Sequence, residues 1–238
     1  MPTRLALDDF QLDQATIEVR FAPSYFHWDR AGSIWMEATR LWPSLKLHEA
    51  KPAQTVFSLD RKQELTASLD QARFLDVAPD RSLEAFGAMA SQFLRIVAKA
   101  LETTHYTRVG LRQMFFKQFE DDRSAADAVL ASGRLVPPSK APFGVGGSPL
   151  QPQYVLRWEG DTLGVRADVR AEGRVLDFIP PGHIRQLQPV HVETQGVVYD
   201  VDLYTVVASV GIDQLDVREW VRNAVHVLRR DTDEFLRA

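Results

Sequence analysis

The chain has no cysteine among its 238 residues. That absence removes disulfides, thiolate zinc sites, iron–sulfur clusters and cysteine nucleophiles together. A basic excess is missing too: 28 Lys and Arg stand against 32 Asp and Glu, for a net charge of −4. Proteins that neutralise many phosphates carry a surplus of positive charge, so this balance argues against a dedicated DNA or RNA binder. The longest apolar run, about Leu203 to Ile212, falls far short of the roughly 20 residues a membrane helix needs. Met1 to Gln14 shows no charged-then-apolar leader. The expectation is a cytoplasmic chain of bacterial type, with no membrane attachment.

Catalytic signatures are also lacking. Gly144-Val145-Gly146-Gly147 has no following lysine and so makes no phosphate loop. Ser148 is followed by Pro149, which has no N–H to offer an oxyanion hole. His48-Glu49 meets Pro52 where a zinc-protease helix carries its second histidine. No cofactor is implied, no catalytic residue is assigned, and the chain leans away from an enzyme.

What is present is an ordinary globular composition, 45% hydrophobic and 25% charged, in a chain long enough to bury a large core. Met1 to Gln14 reads as an arm. Ile17, Val19 and Phe21 alternate with Glu18 and Arg20, which predicts a half-buried strand over Ala15–Phe21. A helix follows from Asp29, as cap, to Trp42, and Pro43 stops it. Thr55–Leu59, Glu64–Leu69 and Arg73–Val77 read as three strands joined by short polar breaks. Ser82 to Thr103 is a long amphipathic helix. Tyr106–Phe116 is again a strand, and Glu120-Asp121-Asp122 opens a helix to about Ala131, where three acids suit the positive end of the helix dipole. After a proline- and glycine-rich loop, 134–152, come strands Gln153–Glu159 and Leu163–Ala171. A second irregular stretch, 173–190, leads to His191–Thr194, a turn at Gln195-Gly196, and a strand from Val197 to Val210. Asp213 and Asp216 then cap a long final helix.

The order of elements repeats. Residues 1–105 and 106–238 each read as strand, helix, three strands and long helix, the second half lengthened by its two loops. The fold class is therefore α+β: two tandem strand-helix-(three strands)-helix units forming one curved antiparallel sheet with helices on one face, related by a pseudo-two-fold. Joining the first strands edge to edge removes two exposed edges. The same order occurs in the duplicated saddle of TATA-binding protein and in duplicated effector-binding domains of drug-responsive regulators, a likeness of fold alone.

Arg108-Val109-Gly110-Leu111-Arg112, directly after a long helix, resembles the Arg-hydrophobic-Gly-Leu-Arg strand of a sporadically distributed family of uncharacterised bacterial proteins of about this length. Glu18-Val19-Arg20-Phe21 matches that family's first strand. His226 and Phe235 match its C-terminal helix, at a longer spacing and without the family's proline before the first strand. The resemblance spans nearly the whole chain and implies no known activity.

Candidate site residues follow from shared faces. Arg108 and Arg112 project from one strand face, with Arg157 on a neighbour; they can bind an anion, or pair with Glu18, Glu159 or other acids across strands, the favoured reading. Arg166 joins them if the sheet contacts nucleic acid. Trp28 and Trp35, one heptad apart, are candidates for a partner patch, with core packing as the ordinary alternative. His183, in the Pro-Pro-Gly-His loop, can gate a pocket. His191 and Glu193 share one face, as do Asp200 and Asp202; across the expected turn these four make a set that can ligate a divalent metal, with a solvated sheet side as the plainer reading. The function expected is a non-enzymatic binding protein. It holds a protein partner or small ligand on a concave sheet face or in the cleft between halves, and a homodimer through sheet edges is open to it. The alternatives are a metal-dependent hydrolase or nuclease, and a saddle-like nucleic-acid module.

Overall fold

Strand alternation and helix stripes converge on one apolar layer. The computed structural model describes residues 5–79, 82–135, 149–178, 190–207 and 209–237. In chain order the elements are β1 (Gln11–Arg20), α1 (Phe26–Leu41), β2 (Lys46–Lys51), β3 (Gln54–Leu59), β4 (Gln63–Ser68), β5 (Gln71–Val77) and α2 (Leu83–Ala100). Then follow β6 (His105–Tyr106), β7 (Arg108–Phe119), α3 (Asp122–Leu130), β8 (Gln153–Glu159), β9 (Leu163–Phe178), β10 (Val190–Thr205), β11 (Val210–Gly211) and α4 (Val217–Arg237). Nine strands form one antiparallel sheet in the order β2-β3-β4-β5-β1-β7-β10-β9-β8, and β6 pairs with β11 apart from it.

The α+β class and the antiparallel sheet are as expected. Ala15, Ile17 and Val19 of β1 are fully buried, and the register sets Ile17 opposite Leu111 and Val19 opposite Val109. The same side carries Phe57, Leu65, Phe74, Ala167 and Val201 from the other strands. All four helices add to that one core: Ile34 and Ala38 from α1, Phe86 and Phe93 from α2, Ala125 and Val129 from α3, Val221 and Leu228 from α4. Each large side chain so removed from water contributes about 1.5–3 kcal/mol. Among the described residues, no helix lies on the other face of the sheet.

Three helices begin where a side chain can accept an orphan N–H. The Ser82 hydroxyl accepts from the Ala85 N–H at 3.2 Å, and Asp121 from Ser124 at 2.6 Å. Asp216 accepts from Arg218 and Glu219 at 2.9 and 3.2 Å. Asp213, expected to cap α4, instead lies in a short 3-10 turn, Ile212–Gln214. Asp29 is in the first turn of α1, which starts earlier and has no side-chain cap.

Three further expectations are corrected. The N-terminal residues from Leu5 are no loose arm: Leu5 is buried and the Leu7 N–H donates to Asp233 of α4 at 2.9 Å. β2 adds a fourth strand to the first meander. It was not visible because this edge strand is exposed at nearly every position and shows no alternation. The expected turn at Gln195-Gly196 does not exist. β10 pairs with β9 without a break from Val190 opposite Phe178 to Thr205 opposite Leu163, so the irregular stretch expected from 173 is strand as far as Phe178. Gly196 is a glycine because the Phe116 ring lies over it; a Cβ there would come within 2.4 Å of that ring.

Helix α2 packs on α4, and Gly87 is at the contact, where an added Cβ would sit 3.5 Å from Val221. A methyl fits that space and a branched side chain does not. Gly87→Ala should therefore leave stability unchanged or raise it by up to about 1 kcal/mol. Gly87→Leu should lower it by about 1–3 kcal/mol. Thermal and urea unfolding of both variants measure this, and equal losses would mean that the helices are not in contact here.

Candidate functional site: the bare sheet face

On the side of the sheet that no helix of the described residues covers, many of the alternate positions are charged. They include Glu18 and Arg20 on β1, Arg73 on β5, Glu64 on β4, and Arg108 and Arg112 on β7. Asp200 and Asp202 on β10, Arg166, Asp168, Arg170, Glu172 and Arg174 on β9, and Arg157 and Glu159 on β8 complete them. Neighbouring strands bring opposite signs together. Arg112 holds Asp200 with a two-pronged grip, Nε to Oδ1 at 2.7 Å and Nη2 to Oδ2 at 2.5 Å. Arg108 donates to Asp202 at 2.6 Å and to Glu18 at 3.4 Å. Arg166 reaches Asp168 at 3.1 Å, and the Gln153 amide donates to both Asp168 oxygens at 3.0 and 3.1 Å. Arg170 bonds Glu172 at 2.7 Å and lies 3.6 and 3.9 Å from Asp168 and Asp200. Arg174 joins Glu172 and Asp13 at 3.2 and 3.0 Å, and Arg73 pairs with Glu64.

At two of these pairs the charges occupy different depths. The Asp200 and Asp168 side chains are 2% and 5% exposed, whereas those of Arg112 and Arg166 are 47% and 40% exposed. Side-chain length explains this: an aspartate ends near the strand, and an arginine reaches over it. Asp168 and Asp200 stand directly opposite each other across β9 and β10. Two like charges in that position repel, and Arg112, Arg166 and Arg170 around them offset it. Burial pushes the Asp202 carboxyl above its ordinary value, against the pull of Arg108 and Arg112. The bond to Asp200 raises Arg112 further.

Aromatic rings lie flat within this layer. Tyr204 spreads over Gly164, where a Cβ would fall within 2.5 Å of the ring. Arg108 stacks above Tyr204 at 4.9 Å from its centre, and Arg174 above Phe116 at 4.2 Å. Arg157 donates to the Tyr204 hydroxyl at 2.8 Å and pairs with Glu159.

Of the residues singled out from sequence, Arg108, Arg112, Arg157 and Arg166 meet on this face, and the pairing with Glu18 and Glu159 is present. Asp200 and Asp202 share the face, but arginines hold them. Glu193 is an odd number of residues away along an unbroken strand, so it belongs to the opposite face; the four metal candidates are not brought to one side. The side chain of His191, and the whole of His183, lie outside the described residues. Among the described residues no cluster of His, Asp and Glu is arranged to hold a metal ion. Trp35 stacks on Phe57 at 5.6 Å in the core, whereas Trp28 is exposed, so the two tryptophans do not form one patch. Asp168, Arg170, Glu172, Arg174 and Tyr204 went unnoticed in sequence. The signal was there: Arg166, Asp168, Arg170, Glu172 and Arg174 alternate in sign at every second position.

On the helix side, a cavity of about 400 Å³ lies between α4 and the outer strands, lined by Trp158, Val165, Val201, Leu228 and Phe235 among others. Its wall carries the Tyr199 hydroxyl, 3.0 Å from that of Thr232. Burial pushes this phenol up to about 12, so it stays protonated at neutral pH and offers no base. Among the described residues no helix is long and apolar enough to cross a membrane.

No family model matches the chain, and no curated protein matches it in sequence.

Asp200→Ala leaves Arg112 without its fork partner and exposes the strand below, and should cost about 1–3 kcal/mol in unfolding experiments. Asp202 behaves differently. Its folded value is raised, so the folded state binds this proton more readily than the unfolded chain, and the group's contribution becomes more favourable as pH falls through the raised value. The melting temperature of the wild type minus that of Asp202→Asn should therefore increase between the raised value and the ordinary carboxylate range. A difference that shrinks in acid would reverse the assigned sign.

Proposed function

We propose that this chain is a non-enzymatic binding protein that holds an acidic, acceptor-rich protein segment against the bare face of its sheet. The observation that carries the reading is the layering of arginine above sunken aspartate. Each guanidinium has five donors in a fixed fork, and its own carboxylate occupies only part of them. The Arg112 and Arg166 side chains stay 47% and 40% exposed while already held in place, so a ligand that takes their remaining N–H groups loses less ordering entropy on binding. The layer is balanced in charge, and the chain is acidic as a whole. Such a surface selects acceptors at short range and does not attract polyanions from a distance.

The scaffold supports the rest of the reading. β1 and β7 each pair with the last strand of their own meander, β5 and β10, and they join one another at the centre of the sheet. The final helices α2 and α4 pack together. We read this as a duplication of one strand-helix-meander-helix unit, with halves 1–105 and 106–238 related by a pseudo-two-fold and the bare face as the concave side. The lack of cysteine suits a cytoplasmic setting. The resemblance to the sporadically distributed bacterial family adds no activity to this reading.

The test is affinity capture from the host with tagged wild type and the double variant Arg112→Ala/Arg166→Ala, compared by quantitative mass spectrometry. An acidic partner enriched by the wild type should be lost at least tenfold from the variant at equal folded protein. Unchanged partners would remove the sheet face as the binding surface. The exposed side chains of Arg112 and Arg166 carry a second reading, a saddle-like nucleic-acid module. A DNA or RNA complex that strengthens steeply as salt is lowered would establish that reading in place of the first.

A further inference from the structure

We infer that the chain forms a two-fold symmetric dimer through strand β8, which would join two nine-stranded sheets into one. The sheet has two edges, and they are protected unequally. β2 carries Lys46 and Lys51, and its pairing with β3 is interrupted by a register shift between Leu47 and Glu49. Charge and irregularity of this kind blunt an edge against pairing. β8 lacks the irregularity, and its two charges, Arg157 and Glu159, pair with each other. Its register with β9 is continuous from Gln153 opposite Arg170 to Glu159 opposite Gly164, and it has no lysine, no bulge and no internal proline. Among the described residues, no strand other than β9 pairs with it. Val155 and Trp158 on it are 45% and 48% exposed.

The hydrogen-bond phase shows which groups face away from β9. The Ala171 N–H donates to the Pro152 carbonyl at 3.1 Å, and the Gly160 N–H to the Leu163 carbonyl at 2.9 Å. Even-numbered positions of β8 therefore face β9. Gln153, Val155, Arg157 and Glu159 present their N–H and C=O groups outward.

A second copy of the chain fits this edge in one register. With the two-fold axis at Leu156, all seven residues of β8 overlap, and outward-facing positions meet outward-facing positions. On the core side Tyr154 then lies opposite the second copy's Trp158, and Leu156 opposite its own equivalent. Tyr154 and Trp158 already contact Phe235 of α4, with ring centres 6.0 and 5.7 Å apart, so the contact prolongs an existing aromatic cluster. On the bare side Gln153 meets Glu159, and Val155 meets Arg157, which Glu159 and Tyr204 of its own chain hold aside. An axis at Arg157 would set that arginine against itself. An axis at Val155 would leave Glu159 without a strand partner. The contact is isologous and closes on itself, as a stable dimer interface must.

The experiment uses the full chain. Sedimentation or light scattering should give twice the chain mass for the wild type at high micromolar concentration. Val155→Pro removes only an outward N–H, which the β8–β9 ladder does not use, and should give a folded monomer. Val155→Lys is the second route to the same monomer if proline disturbs folding. The axis has its own test, because the chain has no cysteine. Leu156→Cys places two thiols across a non-hydrogen-bonded pair, about 4.5 Å apart at Cα, within disulfide reach. Mild oxidation should link Leu156→Cys chains as dimers and leave Trp158→Cys chains unlinked. A monomeric wild type, a dimer that survives both Val155 variants, or crosslinking of Trp158→Cys but not Leu156→Cys would each overturn the proposal.

Discussion

The antiparallel pairing of β1 with β7 is the contact on which the rest depends. It sets Ile17 against Leu111 and Val19 against Val109 on one face, and Glu18 and Arg20 against Gly110 and Arg108 on the other. Without it there would be two small sheets, each with an edge to hide and neither wide enough for four helices. With it, one apolar face gathers the four described helices, and the outward positions of nine strands become one continuous surface. Both the core and the candidate site are consequences of strands whose side chains alternate with a period of two.

That surface illustrates how charge is tolerated on a sheet. Surface ion pairs taken singly are worth little. Here the carboxylates of Asp168 and Asp200 are nearly withdrawn from water, so each must be held, and each is held more than once. The network is therefore a requirement of burial as much as a source of stability. Arg112 and Arg166 hold these carboxylates while remaining 47% and 40% exposed themselves.

The sequence revealed most where alternation or amphipathic stripes were strong. The four helices and most strands lie close to their expected places, and β8 runs from Gln153 to Glu159 as expected. It revealed least where a residue had two physical uses. Gly196 reads as a turn and is a seat for the Phe116 ring. Asp213 and Asp216 both suit a helix cap, and only hydrogen-bond geometry chooses the second. β2 has no buried face to impose a pattern. The charged face was legible as a set of arginines, but which acids they hold depends on strand order. The spatial neighbours Arg112 and Asp200 are 88 residues apart in sequence, beyond any local pattern.

The alternating signs along Arg166 to Arg174 have one more consequence, for how the chain finds its fold. A hairpin as long as β9–β10 has many registers within reach. Sliding by one residue would drive five charges into the core and lift Ala167, Val169 and Ala171 into water. Sliding by two would restore the faces but carry the Tyr204 ring off Gly164, whose missing Cβ is what leaves room for it. The charged positions thus reject one-residue slips, and the seat of one ring on one glycine rejects two-residue slips, while the hairpin is still forming.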